Sequence, residues 1–364
     1  MPKLIDIIAG ARPNFMKIAP ILDAFKRHQF EEKGIKFRLI HTGQHYDKNM
    51  SDTFFDELGI PHPDINLQVG SGTQAEQTAK IMVAYEKILL EKPSDLCIVV
   101  GDVTSTMACS IAARKINIRV AHIEGGIRSY DETMPEEINR KVTDSISNYF
   151  FTTSAGATQN LKNEGIKDDK VFFVGNTMID TLLKNLPRLK QPKVWEENNL
   201  QEKEYIVMTL HRPANVDDAE NLRNLVKIVS ETVAAHKIIF PIHPRTRKVY
   251  QGLDLQPKNI ILSEPMGYLE FNYLVKNAKL VITDSGGITE ETTVLKVPCL
   301  TLRDSTERPE TCSIGTNKLI GTDPQNLVKP LNEIFAGNWK KGEIPELWDG
   351  KTADRIAEIL ERII

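Results

Sequence analysis

The chain is short of cysteine, of excess charge of either sign, and of long apolar runs. Its four cysteines, Cys97, Cys109, Cys299 and Cys312, are scattered and form no CxxC pair. That spacing favours reduced core cysteines in a cytoplasmic protein over a metal site. The 46 Lys and Arg nearly balance the 49 Asp and Glu, so the basic excess of a sequence-independent nucleic-acid binder is missing. No apolar run reaches the roughly 20 residues that a membrane span needs. The first apolar run stops at Gly10, too soon for a secretion signal. No short repeat or low-complexity tract is present. At about 150 residues per domain, the 364 residues imply two domains.

What is present is an alternation, and it occurs twice. Short apolar runs at Leu4–Ala9, Phe37–His41, Leu96–Val100, Val120–Ile123, Tyr149–Thr153 and Val171–Val174 are nearly continuous in Ile, Val, Leu and Phe. Such runs mark strands buried on both faces of a parallel sheet. Between them, Lys17–Arg27, Gln74–Leu90 and Thr104–Lys115 repeat their apolar residues at helical spacing. The second half repeats the theme, with strands at Tyr205–Thr209, Ile238–Ile242, Ile260–Leu262, Leu280–Thr283 and Cys299–Leu302. Its helices fall at Leu222–Ala235, Tyr268–Lys276 and Asn326–Phe335. Two alternating sets imply two Rossmann-like, doubly wound α/β domains, at 1–185 and 205–345. The Pro- and charge-rich stretch 186–204 reads as the linker. An amphipathic helix at 346–364 closes the chain and is free to pack back on either domain, the N-terminal one included.

In doubly wound sheets, ligands bind at the carboxyl ends of strands. The first strand ends in Gly10-Ala11-Arg12-Pro13-Asn14 ahead of Lys17, a glycine turn with charge suited to an anion. The turn is not GxGxxG, which disfavours a dinucleotide cofactor. The third strand ends in Gly101-Asp102, where Asp102 taken alone reads more readily as a helix cap than as a functional acid. The fourth ends in Glu124-Gly125-Gly126, a strand-tip acid with room for a ligand to approach the backbone. Glu136 and Glu137 follow Pro135 at a helix start, where acids also complement the helix dipole. Asp102, Glu124 and Glu136 together would put three carboxylates on one rim, a set suited to acid–base work. In the second half, His211 follows a strand beside Arg212. Ser285, Gly286 and Gly287 open a helix after a buried strand and can cradle a diphosphate with backbone N–H groups. Glu291, inside that helix, can accept both hydroxyls of a ribose, and Arg308 can pair with phosphate or carboxylate.

The segments GARPNFMK, TGQH, GDVTST, HIEGGIRS, MPEEINR, GNTMID, LHRPAN, TDSGGITEE and RDSTERPE occur here in a fixed order, from Ile7 to Gly321. In that order the chain resembles the non-hydrolysing UDP-N-acetylglucosamine 2-epimerases. The resemblance implies a GT-B-like fold with the sugar nucleotide in an interdomain cleft. It implies Arg12, Lys17, Phe271, Ser285, Gly286, Gly287, Glu291 and Arg308 as substrate-binding residues, with Phe271 near the uracil. Asp102, Glu124, Glu136 and His211 match the residues held to be catalytic in the family. It further implies no metal and no cofactor, a UDP-sugar substrate, a homodimer, and a role in supplying envelope polysaccharide precursors. Ala11, Asn14 and Gly125 depart from the residues usual at those positions.

The chemistry so implied is anti elimination of UDP to 2-acetamidoglucal, then syn re-addition with a proton delivered to the other face. Other classes compete. An epimerase of a 2,3-diacetamido uronate sugar nucleotide ranks second, because its members tend to lose the Arg308-Pro309 pair that is present here. A hydrolysing epimerase would carry a different motif set. A GT-B glycosyltransferase would share the Ser-Gly-Gly cradle without needing the three acids, and a non-catalytic UDP-sugar sensor would need none of them.

Overall fold

The computed structural model describes residues 2–43, 57–255 and 257–364, with all their side chains but those of Arg12 and Arg245. The chain forms two compact units. One comprises Met1–Lys184 together with Glu346–Ile364, the other Asn185–Pro345.

The first unit alternates β1 (Lys3–Ala9), α1 (Arg12–Arg27), β2 (Ile35–His41), β3 (Ile65–Asn66), α2 (Gln74–Glu91), β4 (Leu96–Val100), α3 (Thr104–Lys115), β5 (Arg119–Ile123), α4 (Pro135–Ile146), β6 (Tyr149–Thr152), α5 (Ala155–Asn163), β7 (Val171–Phe173) and α6 (Thr177–Asn185). Among the described residues its strands run parallel in the order β3-β2-β1-β4-β5-β6-β7. All five residues of β4, LCIVV, are buried, as a central parallel strand covered on both faces requires. The second unit holds β8 (Tyr205–Thr209), α7 (Ala219–Thr232), β9 (Lys237–Pro241), α8 (Pro244–Gln251), β10 (Ile260–Ser263), α9 (Tyr268–Asn277), β11 (Leu280–Thr283), α10 (Gly286–Val294), β12 (Cys299–Thr301), α11 (Pro309–Ser313), β13 (Asn317–Leu319) and α12 (Val328–Phe335). Its sheet is also parallel, in the order β10-β9-β8-β11-β12-β13. Both sheets reverse their winding beside the first strand, so the crevices fall at β1/β4 and at β8/β11.

The structure differs from the sequence reading in four places. Strands β3 and β13 escape the apolar pattern because both are edge strands of two or three residues, and β13 reads Asn-Lys-Leu. Helix α1 starts at Arg12 rather than Lys17. Pro13 presets the first turn, and Asn14 Oδ1 accepts the N–H groups of Gly10 (3.2 Å) and Ala11 (2.9 Å). The stretch 186–204 belongs to the second unit, where Val194 and Leu200 are buried with Tyr205 and Val207. Its few apolar residues cover one face of the second sheet despite their polar neighbours. The chain's last helix, α13 (Thr352–Ile363), lies against α1 in the first unit. Asp180 accepts the N–H groups of Thr352 (3.2 Å) and Ala353 (2.7 Å), Trp348 Nε1 donates to the Thr153 carbonyl (3.0 Å), and Arg27 pairs with Asp354 (2.6 Å).

Candidate active site

At the β1/β4 crevice of the first unit, Asn14 Nδ2 donates to the Val100 carbonyl at 3.0 Å. Beside it the chain turns sharply at two residues with left-handed backbone, Gly101 (φ 70°) and Glu124 (φ 71°). Lys17 Nζ, from α1, lies 2.7 Å from Glu124 Oε2. A Cβ on Gly101 would stand 3.2 Å from Lys17 Nζ and 3.7 Å from Glu124 Oε2, so glycine makes room for that ion pair. A non-glycine residue at positive φ is uncommon and held by its surroundings; at a strand tip it aims the carboxylate away from the strand's regular alternation.

Helix α4 organises the neighbouring acid. Arg140 grips Asp102 through Nε (3.0 Å) and the second guanidinium nitrogen (2.5 Å), both on Oδ2. Asn139 Nδ2 donates to the Asp102 carbonyl at 2.8 Å. Glu137 is fully buried, accepts the N–H groups of Ser129 (3.0 Å) and Tyr130 (3.2 Å), and pairs with Arg140 (2.6 Å). Those contacts hold its carboxyl below the usual range despite its burial. Of the two adjacent acids, Glu137 is thus a framework residue. Glu136 stands half-buried on the first turn of α4, with no side-chain hydrogen bond among the described residues. Arg12 opens α1, and its side chain lies outside the described set.

In the second unit the β8/β11 crevice joins His211 to Asp284. The imidazole Nδ1 lies 2.7 Å from Asp284 Oδ1, and Oδ2 accepts the N–H of Arg212 (2.9 Å) and Asn215 Nδ2 (3.1 Å). Burial pushes Asp284 up, but His211 and these donors outweigh it and keep the carboxyl below its ordinary value. Ser285 is the N-cap of α10 yet makes no side-chain cap bond, so Gly286 and Gly287 begin the helix with their N–H groups uncapped by it. A helix start of this kind attracts anions. Further along α10, the buried Glu291 meets Asn272 Nδ2 (3.4 Å) and interacts with the Tyr268 hydroxyl, both from α9. Burial raises the Glu291 carboxyl to about 7, against the pull of Tyr268 and Asn272 and with the help of Glu290. Phe271 is half-buried on the same helix α9. Arg308 does not stand open to solvent, because its Nε donates to Glu290 and the side chain is buried.

The structure brings Lys17 to Glu124 and His211 to Asp284. Sequence reasoning did not single out Arg140, Asn139 or Asp284. Arg140 and Asn139 lie inside the MPEEINR segment, four and three positions after Glu136, and helical spacing is the signal that points to them. Among the described residues, no cluster of His, Cys, Asp and Glu is placed to hold a metal ion, and no helix is long and apolar enough to cross a membrane.

Two doubly wound parallel sheets, each with polar side chains at its switch point, define an α/β protein of the class that binds ligands at strand tips. Within that class the chain belongs to the UDP-N-acetylglucosamine 2-epimerase family, whose sequence profile matches residues 28–361. It is 43% identical to the UDP-N-acetylglucosamine 2-epimerase of Methanocaldococcus jannaschii, over 98% of each chain. The crystal structure of that organism's enzyme in complex with UDP-GlcNAc and UDP superposes with a TM-score of 0.87, at 43% identity and over 99% of both chains. A UDP-2,3-diacetamido-2,3-dideoxy-D-glucuronate 2-epimerase of Pseudomonas aeruginosa is 36% identical, over 99% of this chain and all of that one.

Proposed function

We propose that this chain reversibly inverts C2 of UDP-N-acetylglucosamine, giving UDP-N-acetylmannosamine. The observation that carries the reading is the pair of acid-bearing strand tips, Asp102 held by Arg140 and Glu124 held by Lys17. The near full-length likeness to an epimerase of this substrate supports it. The C2 hydrogen is not acidic, because no carbonyl adjoins it. One acid of the set takes the C2 proton as the C1–O bond to UDP breaks, leaving 2-acetamidoglucal and UDP. A proton then returns to the opposite face of C2 while UDP re-forms its bond to C1. The proton transfers fall to Asp102, Glu124 and Glu136, all in the first unit.

The second unit takes the nucleotide in this reading. Gly286 and Gly287 offer N–H groups to the diphosphate, His211 and Arg308 assist it, and Glu291 takes the ribose hydroxyls. Arg12, Lys17, Ser285 and Phe271 complete the binding set. On the family resemblance the reading extends to a cytoplasmic homodimer that supplies envelope polysaccharide precursors, and light scattering of the purified chain checks the dimer.

Proton NMR of the protein with UDP-N-acetylglucosamine in D2O tests the reading. UDP-N-acetylmannosamine carrying deuterium at C2, without added cofactor, is the expected product. Free N-acetylmannosamine with UDP would assign the hydrolysing reaction instead. An unchanged spectrum, followed by turnover of the diacetamido uronate, would transfer the chain to the specificity of its Pseudomonas relative.

A further inference from the structure

Two side chains behind the strand tips are not used by the reaction as described. His122, on β5, is 1% exposed and spends both ring nitrogens inside the unit. Nε2 lies 2.8 Å from the Gly101 carbonyl, and Nδ1 lies 2.6 Å from Asp144 Oδ1. A carbonyl oxygen only accepts, so Nε2 carries a proton and donates it. Asp144, also 1% exposed, accepts the Gly126 N–H at 3.0 Å on its other oxygen and pairs there with Arg128 at 2.7 Å. Burial pushes the Asp144 carboxyl up, but His122, Arg128 and the Gly126 N–H hold it below its ordinary value.

These contacts span the two acid-bearing tips. Gly101 immediately precedes Asp102, and Glu124 lies between His122 and Gly126. Gly101 and Glu124 both have left-handed backbone, and the Gly101 N–H donates to the Ile123 carbonyl at 3.0 Å. Asp144 sits four residues after Arg140, on the same face of α4. One helix face therefore holds Asp102 by Arg140 and the other tip by Asp144, with His122 bridging from Asp144 to Gly101.

We propose that His122 and Asp144 are positioning residues that clamp the Asp102 tip against the Glu124 tip and so set the spacing of the reacting acids. The proposal rests on the functional reading above, which puts those two acids to work. The clamp fixes geometry, so its loss lowers kcat and leaves KM nearly in place, whereas a residue that only binds nucleotide would raise KM.

The test combines steady-state epimerisation with hydrogen exchange at the Gly101, Glu124 and Gly126 amides, each hydrogen-bonded in the folded chain. His122→Phe keeps a ring of similar size and removes both contacts. It is expected to speed exchange at these amides and to lower kcat by about 10²-fold with KM within about threefold, the scale of a small misplacement of reacting groups. His122→Gln, whose amide N–H can still reach the Gly101 carbonyl, is expected to recover about tenfold of that loss. Asp144→Asn keeps the packing, moves both readouts in the same direction, and carries the test should His122→Phe fail to fold. Unchanged exchange at all three amides, or a raised KM with kcat kept, would overturn the clamp. A wild-type chain inactive on UDP-N-acetylglucosamine would overturn the functional reading instead, and the exchange measurement would still decide the clamp.

Discussion

His211 meets Asp284 through its ring and its backbone at once. Nδ1 lies 2.7 Å from Oδ1, and the His211 N–H donates to Oδ2 at 3.0 Å. The His211 side chain is 56% exposed, while that of Asp284 is fully sealed. A buried carboxylate behind an exposed imidazole fixes the ring and leaves Nε2 as the nitrogen to meet a ligand. Asp284→Asn keeps the shape but replaces one acceptor oxygen with an N–H donor, so it cannot accept both from the ring on Oδ1 and from the backbone N–H groups on Oδ2. It is expected to lower kcat at least about tenfold while UDP still binds, as kinetics alongside UDP titration calorimetry would show.

Glu291 sets a conflict between stability and binding. Its folded value of about 7 lies above the ordinary 4.5, so the folded chain holds this proton more tightly than the unfolded one. The resulting stabilisation is complete below about 4.5 and is lost as the pH climbs through about 7. Glu291→Gln removes that loss. Thermal melts are expected to coincide at pH 4.5 and to favour the variant by roughly 1–3 kcal/mol at pH 8. Under the proposed function the same variant binds UDP more weakly.

Gly101 is the cheapest place to disturb the first crevice. Gly101→Ala places a methyl at positive φ, 3.2 Å from Lys17 Nζ. The backbone cost is about 1 kcal/mol, small enough for the chain to fold. Lys17 Nζ must give way slightly while Glu124 Oε2 stays at ordinary contact distance, and epimerisation is expected to fall at least about tenfold, with urea midpoints reporting the small stability change. Full activity in this variant would show that the pair need not occupy its present place.

Asp180 anchors the end of the chain. Burial raises its carboxyl to about 6 although two backbone N–H groups donate to it. Asp180→Ala leaves the first N–H groups of α13 without this acceptor and is expected to cost about 1–2 kcal/mol, the worth of a helix cap. Limited proteolysis is expected to cut the variant sooner than the wild type between 346 and 351. Equal cleavage rates would mean that Trp348 and the pairs of Asp354 hold the segment without it.

The legible part of the fold was the part built from continuous apolar strands. LCIVV and YIVMT announce β4 and β8, and because strand ends are then known, Asp102, Glu124 and His211 fall into place as tip residues. What remained hidden depends on helical phase or on distance along the chain. Glu136 and Glu137 are adjacent and chemically alike, and only the turn of α4 decides that Glu137 is buried against Ser129 and Arg140. Arg140 reaches Asp102 across 38 positions and His122 reaches Asp144 across 22, with no local pattern to join them. Arg308 reads in the sequence as a partner for phosphate or carboxylate, and that Glu290 is a carboxylate it meets is visible only once α10 and α11 are folded. The stretch 186–204 misleads for a related reason: Val194 and Leu200 are too few to show a period, yet both are buried.

Because the first unit is made of Met1–Lys184 and Glu346–Ile364, the second unit is an insertion within it. A ribosome therefore delivers all of Asn185–Pro345 before it delivers Trp348 and the last helix. During synthesis the second unit has its whole sequence in hand while the first still waits for its final piece. Until then α1 lacks the helix that packs on it and the Thr153 carbonyl lacks the Trp348 donor, so the earlier-made unit waits with part of its packing unfilled.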